Sequence, residues 1–226
     1  MASIELNHLT VQIPVFSNHS RSIKNSFLKF FTKDRLSIHA ITAVDDVSIH
    51  LKDGDRLGIM GPNGSGKSSL LRTIAGVYSP SSGSINVKGS IASLIDISLG
   101  MDMEATGFEN IRMRAIMMGM KLKQIKLIEE EIADFTELGK FLEMPIRTYS
   151  SGMHMRLGFA VSTTIPADII LMDEWLSVGD SEFLIKAEKR LHDYIQKSSI
   201  LVIASHSEEL ISKLTNQTLR LKYRAL

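Results

Sequence analysis

Cysteine is absent from the 226 residues of the chain, which excludes disulfide bonds and metal sites built on thiolates. Long apolar runs are also absent, because no segment approaches the ~18–20 consecutive apolar residues that a membrane-spanning helix needs. The first residues show no charged stretch followed by an apolar one, so we expect no secretory leader. These absences favour a protein of a reducing cytoplasm that is either soluble or held at a membrane through a partner.

Excess charge of one sign is lacking as well, since the formal net charge is +1. This balance gives no global attraction to nucleic acid or to an acidic partner. Hydrophobic residues make up 44% and charged residues 23% of the chain, close to the average of globular proteins. The length fits one large α/β domain, or one domain with a sizeable insertion.

Apolar runs separated by helical patterns indicate the fold class. The segments DRLGIM, IILM and ILVIA are apolar on both faces, which is typical of buried parallel strands. Helical patterns lie between them, among them KSSLLRTIAG, which Gly76 is expected to end, and a segment with Phe183, Ala187, Leu191 and Tyr194 on one face. The sequence therefore predicts an α/β fold with a mostly parallel sheet.

The middle of the chain has a different pattern, without strands. Thr106 and Glu109 form a capping box, which predicts a helix from there to about Met118. Periodic apolar residues from Lys123 to Leu138 predict a second helix that Gly139 closes. We therefore expect a single domain over residues 1–226. Its α/β core would comprise residues 1–95 and 165–226, with a helical subdomain inserted at residues 96–164.

Two segments allow more than one interpretation. Basic and apolar residues interleave from Arg21 to Arg35, with the apolar set on one helical face. This predicts a surface helix packed on the sheet; the alternative is a basic amphipathic segment that faces anionic lipid headgroups or a membrane partner. The methionines concentrated between Met101 and Met120 favour core filling, with an adaptable docking surface as the alternative.

The stretch GPNGSGKSS matches the phosphate-loop pattern G-x-x-x-x-G-K-[ST] in the required context of a strand before and a helix after. Glycines let the backbone wrap around phosphate oxygens, and the helix N-terminus adds partial positive charge. Lys67 is expected to reach the β- and γ-phosphates, and the Ser68 hydroxyl to ligate Mg²⁺. The residues expected to bind nucleotide here are Gly61, Pro62, Asn63, Gly64, Ser65, Gly66, Lys67, Ser68 and Ser69.

Two further strand ends are expected to complete this site. Asp173 and Glu174 follow the apolar run IILM, and carboxylates at the carboxyl edge of a parallel sheet lie beside a phosphate loop. We expect Asp173 to hold Mg²⁺ through water and Glu174 to act as general base on the attacking water. His206 follows the next apolar strand, where a neutral imidazole could hydrogen-bond the γ-phosphate or the water.

In the order GPNGSGKSS, helical insertion, YSSGM, ILMDE, SVGD and His206, these motifs resemble the nucleotide-binding subunits of ABC transporters over about residues 40–206. The stretches YSSGMHMRLGFA, DEWLSVGD and ATGFENI resemble more narrowly the ATPase subunits of bacterial exporters of O-antigen and teichoic acid. Residues 14–38 resemble the extra segment that this group carries before its core. The resemblance implies a P-loop NTPase fold, ATP and Mg²⁺ as cofactors, and export of a lipid-linked polysaccharide from the cytoplasmic face of the bacterial inner membrane.

The resemblance also implies an assembly. In this family two subunits pack head to tail, so that Ser150 and Gly152 of one copy would close over ATP on the phosphate loop of the other. Lys67, Glu174 and His206 are the expected catalytic residues. The helical subdomain would pass the motion to an integral-membrane permease, with a lipid-linked glycan as cargo and no nucleic acid as partner. The alternative is a non-transport ABC ATPase that acts on nucleic acid or the ribosome.

Three features depart from the family pattern. The general signature Leu-Ser-Gly-Gly-Gln is replaced by YSSGM at residues 149–153, which resembles the exporter group. The glutamine that usually links the core to the helical subdomain is absent, and its place falls near Asp96 or Ile97. The aromatic residue that stacks on adenine has three candidates, which are His39, Phe30 and Phe31.

Overall fold

The computed structural model of the protein describes residues 1–15, 39–97, 100–117, 119–174 and 181–222. The strands are β1 (Ser3–Val15), β2 (His39–Lys52), β3 (Arg56–Met60), β4 (Ser82–Lys88), β5 (Ile91–Leu94), β6 (Ile169–Asp173), β7 (Ile200–Ala204) and β8 (Gln217–Arg220). The α-helices are α1 (Lys67–Ile74), α2 (Gly107–Met117), α3 (Leu122–Thr136), α4 (Ser151–Thr164), α5 (Ser181–Lys197) and α6 (Glu208–Leu214). Short 3₁₀ helices span Gly139–Glu143 and Ile146–Thr148.

A parallel sheet in the order β5-β6-β7-β3-β8 forms the centre of the fold. Every residue of β7 is buried, because helices and a second sheet cover the two faces. Strand β7 separates β3 from β6, so the carboxyl ends of all three strands meet at one edge. The α/β fold with a parallel sheet that the sequence predicts is confirmed.

A second, antiparallel sheet in the order β2-β1-β4 packs on the first. Its inward residues Ile4, Leu6 and Leu51 join Leu70 and Leu71 of α1 in one buried cluster. The sequence indicates these strands one by one but not their pairing, because β1 pairs with segments far along the chain.

The chain between β5 and β6 holds α2, α3 and α4. The predicted capping box at the start of α2 is present, since the Thr106 N–H donates to Glu109 Oε2 at 2.8 Å and the Glu109 N–H donates to Thr106 Oγ1 at 3.2 Å. The predicted end of α3 is wrong. Glu137 adopts a left-handed conformation with φ 57° and closes the helix before Gly139, and its carboxylate pairs with Lys186 of α5 at 2.7 Å.

The methionines of this part divide between two environments. Met101 and Met120 pack against the core, whereas the side chains of Met103 and Met117 are exposed. Among the helices in the described part of the chain, none combines the length and the apolar character needed to cross a bilayer. The segment from Arg21 to Arg35 and the SVGD motif lie outside the described residues, so what the sequence suggests for them stays a prediction.

Candidate functional site

The phosphate loop joins the end of β3 to the start of α1. Gly66 precedes α1 with φ 95°, and a Cβ atom at this position would lie 1.9 Å from the carbonyl oxygen of Ala43 in β2. Any other residue would collide with backbone there, so β2 holds the loop in this shape only with glycine at position 66. The N-terminus of α1, with its partial positive charge, therefore opens at a fixed place above the sheet edge.

A cavity of about 980 Å³ opens over this helix end. Its volume lies at the upper end of the range for small-molecule sites, so a nucleotide fits. Eight predicted site residues line it, which are Asn63, Gly64, Gly66, Lys67, Ser68, Ser69, Asp173 and Glu174. The structure thus brings the phosphate loop and the acidic end of β6 to one cavity, as the motif spacing predicts.

The ammonium of Lys67 lies within the phosphate loop itself. Its Nζ donates to the carbonyl oxygens of Gly61 at 2.7 Å and Pro62 at 3.2 Å, and the residue is only 8% exposed. The partial negative charge of a carbonyl oxygen compensates a buried cation only in part, whereas a phosphate would carry a full opposite charge. Within the loop, the hydroxyl of Ser65 is buried without a hydrogen-bond partner among the described residues.

Glu174 follows β6 in a left-handed conformation, with φ 68°. Its N–H donates to the carbonyl of Ala204 in β7 at 2.8 Å, and its Oε1 lies 3.0 Å from Nδ1 of His206. A non-glycine residue in this conformation costs about 1–2 kcal/mol, and such strain is concentrated at functional sites. The bond to β7 and the bond to His206 together direct the carboxylate at the sheet edge where the cavity lies.

Ser150 and Gly152 stand apart from this cavity. Ser150 is the N-cap of α4, and its Oγ accepts the N–H of Met153 at 3.3 Å. Neither residue is among the described residues that line the nucleotide-sized cavity. Within one chain, therefore, the structure does not bring the signature motif to the phosphate loop.

Tyr149 anchors the start of the signature motif to the 3₁₀ helix Gly139–Glu143. Its hydroxyl donates to the carbonyl of Phe141 at 2.7 Å, and burial raises the pKa of Tyr149 to about 12. Sequence reasoning missed this role, because it treated position 149 only as a replacement for the usual leucine. The presence of a tyrosine at position 149 could have indicated this contact, since a buried tyrosine hydroxyl needs a hydrogen-bond partner.

The cavity has an aliphatic wall that the motifs did not indicate. Ala40, Ile41 and Thr42 at the start of β2 line it, as does Ile95 after β5. His39, one of the adenine-stacking candidates, is the first residue of β2, and its side chain is not part of what the structure describes. Phe30 and Phe31 lie outside the described residues. The start of an apolar strand carries no motif, so no sequence signal could have singled out this wall.

The residues present fit the binding of Mg²⁺ together with a nucleotide. The Ser68 hydroxyl and the Asp173 carboxylate line the same cavity, and oxygen ligands combined with phosphates and water are what Mg²⁺ prefers. Among the residues that the structure describes, no group of three or more His, Asp or Glu side chains is arranged as a metal cage. Ser68 and Asp173 therefore stay the predicted oxygen donors for Mg²⁺ at this place.

A comparison with known families decides the identity. The sequence profile described as "ABC transporter" matches residues 44–177. The chain belongs to the ABC transporter family. The family membership predicted from the ordered motifs is thus confirmed.

Curated ABC transporter relatives match between 82% and 99% of the chain. It is 43% identical over 228 residues to the O-antigen export system ATP-binding protein RfbE of Yersinia enterocolitica, covering 99% of this chain and 95% of RfbE. It is 38% identical to the teichoic acids export ATP-binding protein TagH of Bacillus anthracis over 97% of this chain, but it spans only 39% of TagH. The O-antigen export system ATP-binding protein RfbB of Myxococcus xanthus is 39% identical, with 43% of its length covered.

Solved structures of ABC cassettes share the fold. A dimeric ATP-binding cassette in a post-hydrolysis state, bound to ADP and Pi, matches with a TM-score of 0.72 at 18% identity over 98% of this chain. A dimeric bacterial ABC transporter cassette matches with a TM-score of 0.70 at 21% identity. At these identities the similarity establishes the P-loop NTPase fold alone.

Proposed function

We propose that this chain is the ATP-hydrolysing subunit of an ABC exporter that moves a lipid-linked polysaccharide across the bacterial inner membrane. One observation carries the proposal: Lys67, Asp173 and Glu174, from separate parts of the sequence, line one cavity of nucleotide size. The similarity to RfbE over 95% of that protein supports the polysaccharide as cargo. As an ABC transporter subunit with this site, the chain is an ATPase.

The residues of the cavity divide the chemistry between them. The Lys67 ammonium would leave the carbonyls of Gly61 and Pro62 and bind the β- and γ-phosphates, where charge builds up during phosphoryl transfer. The Ser68 hydroxyl and the Asp173 carboxylate would hold Mg²⁺, which supplies neutralisation of the phosphate oxygens when bound. The N–H groups of the phosphate loop would fix the phosphates for in-line attack.

Glu174 would take the proton from the attacking water as general base. His206, at hydrogen-bond distance from Glu174, would hold that carboxylate in place and bind the γ-phosphate or the water. Glu174 and His206 are both more than half exposed in the single chain, and a general base works best where bulk water is excluded. A surface from outside this chain is therefore expected to cover them.

That covering surface is proposed to come from a second copy. Ser150 and the first turn of α4 form a helix N-terminus that lies away from the cavity of its own chain, and such a terminus suits a phosphate. In a head-to-tail dimer, Ser150 and Gly152 of each copy would meet the γ-phosphate held by the other. The dimeric cassettes that share this fold support the arrangement.

The permease is proposed to bind the exposed side of α2. A groove of about 480 Å³ there is lined by seven of the described residues, which are the apolar Ala105, Met113 and Ile116, the acidic Asp102, Glu104 and Glu109, and the basic Arg112. Methionine side chains adapt readily to the shape of a partner. Attachment through a permease would hold the chain at the cytoplasmic face of the inner membrane.

Two experiments test the proposed function. The purified chain should hydrolyse ATP in the presence of Mg²⁺, and Lys67→Ala should abolish this activity. A strain that lacks the gene should lose surface polysaccharide while lipid-linked glycan accumulates inside, and the Lys67→Ala gene should not restore it. An unchanged surface coat in the deletion strain would contradict the export function.

Filter binding with nucleic acid distinguishes the exporter from the alternative, an ABC ATPase that acts on nucleic acid or the ribosome. Affinity for nucleic acid that falls steeply between two salt concentrations would favour the alternative. With a net charge of +1, we expect no such binding.

A further inference from the structure

The three residues after β5 connect the nucleotide cavity to the helices beyond it. Ile95 lines the cavity beside Asp173 and Glu174. Ile97, two positions later, is buried and belongs to the apolar cluster shared with α2 and α4. A displacement of this short segment at the cavity would therefore also displace α2 and α4.

Ile97 lies directly against α4 at a position where only glycine fits. A Cβ atom on Gly158 would lie 2.7 Å from Ile97 Cγ2 and 3.0 Å from the Ile97 carbonyl oxygen. Backbone and side chain of Ile97 thus contact the bare face of the helix. Helix α4 begins at Ser151, about 10 Å from Gly158 along the helix axis at ~1.5 Å per residue. Ile97 therefore contacts the helix that begins within the signature motif.

Arg114 of α2 ties this segment and α4 together. Its Nη1 donates to the Ile97 carbonyl at 3.0 Å, and its Nη2 donates to the Ser162 hydroxyl of α4 at 3.4 Å. Burial lowers the pKa of Arg114, while the negative charge of Asp96 opposes that shift. The planar guanidinium is suited to two acceptors at once.

We infer that Arg114 is a positioning residue that couples the nucleotide cavity to α4, the helix that begins within the signature motif, through the Ile97 carbonyl. The inference rests on the proposed function, since it assigns a route to the ATP response of that site. Arg114 is not among the described residues that line the nucleotide cavity, and its described hydrogen bonds reach the Ile97 carbonyl and the Ser162 hydroxyl, so we expect it to act through the segment Ile95–Ile97. Removal of the Arg114 side chain should leave nucleotide binding unchanged but weaken the response of α2 and α4 to bound nucleotide.

Hydrogen exchange read by mass spectrometry tests this with the full chain and MgATPγS, at a protein concentration where light scattering shows a monomer. In the wild-type chain, MgATPγS should slow exchange in the phosphate loop and also in α2 and the first turns of α4. In Arg114→Met, protection of the phosphate loop should persist, while protection of α4 should fall by about fivefold or more, the lower end of typical coupling between sites. Arg114→Lys keeps the charge but reaches one acceptor, so it should restore part of the response.

Two further variants separate coupling from simple destabilisation. Gly158→Ala leaves Arg114 intact but displaces Ile97, and it should cause the same loss of α4 protection. Arg112→Met, on the same helix, removes an ion pair with Glu129 of α3. It should lower the melting temperature and leave the α4 response to nucleotide unchanged.

The outcomes are distinct for the two claims. An unchanged α4 response in Arg114→Met and Gly158→Ala, with the phosphate loop still protected, would overturn the role of Arg114 and leave the proposed function standing. Absence of phosphate-loop protection in the wild-type chain would overturn the proposed function and this inference with it.

Discussion

The Nδ1 atom of His206 lies 3.0 Å from Oε1 of Glu174, although 32 positions separate the two residues in the sequence. Parallel pairing of β6 with β7 places them side by side, since Asp173 pairs with Ala204. The contact holds the carboxylate at the carboxyl edge of the sheet, next to the phosphate loop. Substitutions at either residue should therefore change the chemical step rather than the fold.

Glu174→Gln should reduce the turnover number for ATP by about 10²-fold or more, because general base catalysis contributes about 10²–10⁴-fold. ATP binding should persist, so the variant should accumulate as an ATP-bound dimer that size-exclusion chromatography detects. Glu208→Gln is the matched control, since Glu208 is an exposed carboxylate paired with Arg220 close by in the chain. Wild-type turnover in Glu174→Gln would remove Glu174 from the mechanism.

Gly66→Ala should abolish nucleotide binding, because the new methyl group would collide with the Ala43 carbonyl and deform the phosphate loop. Gly76→Ala is the matched control: this glycine also has positive φ, at 79°, but a Cβ atom there meets nothing within 4 Å. It should cost only about 1–2 kcal/mol of stability and leave binding intact. Fluorescent ATP titration together with thermal unfolding measures both effects. Equal ATP affinity of the two variants would contradict the prediction.

Tyr149→Phe should lower the free energy of unfolding by about 0.5–1.5 kcal/mol, the contribution of one hydrogen bond, and should also slow ATP turnover. Tyr194→Phe is its control, because the Tyr194 hydroxyl likewise donates to a backbone carbonyl, that of Ile165 at 2.8 Å, but away from the signature motif. The control should lose similar stability without the loss of turnover. Chemical denaturation and steady-state ATPase assays separate the two quantities.

Alkaline pH should destabilise the protein through the same two phenols. Burial raises the pKa of Tyr149 and of Tyr194 to about 12, above the ordinary value of 10.0. A raised pKa means that the folded state binds the proton more tightly, so this stability is fully present below about pH 10 and is lost as the pH rises towards 12. Melting temperature measured against pH checks this, and removing both hydroxyls should flatten the fall.

Acid should weaken the start of α2 through Glu109. Hydrogen bonds from the backbone N–H and the hydroxyl of Thr106 hold the pKa of Glu109 below its ordinary value of 4.5. The folded state then binds the proton more weakly than the unfolded state, so the contribution is present above that ordinary value and is lost as the pH falls through the lowered one. The difference in melting temperature between the wild-type chain and Glu109→Gln should therefore shrink on acidification. A constant difference would show that the carboxylate charge is not involved.

The phosphate loop and the strand ends were predictable from the sequence because their positions follow from local patterns. A strand, a glycine-rich loop and a helix are consecutive in the chain, and the carboxyl ends of parallel strands share one edge, so Lys67, Asp173 and Glu174 had to approach each other. The capping box at Thr106 is likewise local. Family membership followed from the order of the motifs.

Contacts between distant segments could not be predicted in the same way. The contact between Ile97 and Gly158 depends on how α4 packs against the segment after β5. Arg114 lies in an ordinary helical pattern, which does not indicate its contacts with that segment and with α4. The end of α3 at Glu137 was missed because a left-handed glutamate is unfavourable by itself, and its carboxylate pairs with Lys186 of another helix that is distant in the sequence. Tertiary packing decides all three.

The position of β3 between β7 and β8 has a consequence for synthesis of the chain. Leu57 of β3 pairs with Val202 on one side and with Gln217 on the other, so both neighbours of the strand that precedes the phosphate loop leave the ribosome long after it. Until then β3 has unpaired edges on both sides, which is a liability for association with other chains. The growing polypeptide thus acquires the ability to retain ATP only after β7 and β8 have been synthesised, and bound nucleotide would mark a chain whose central sheet is complete.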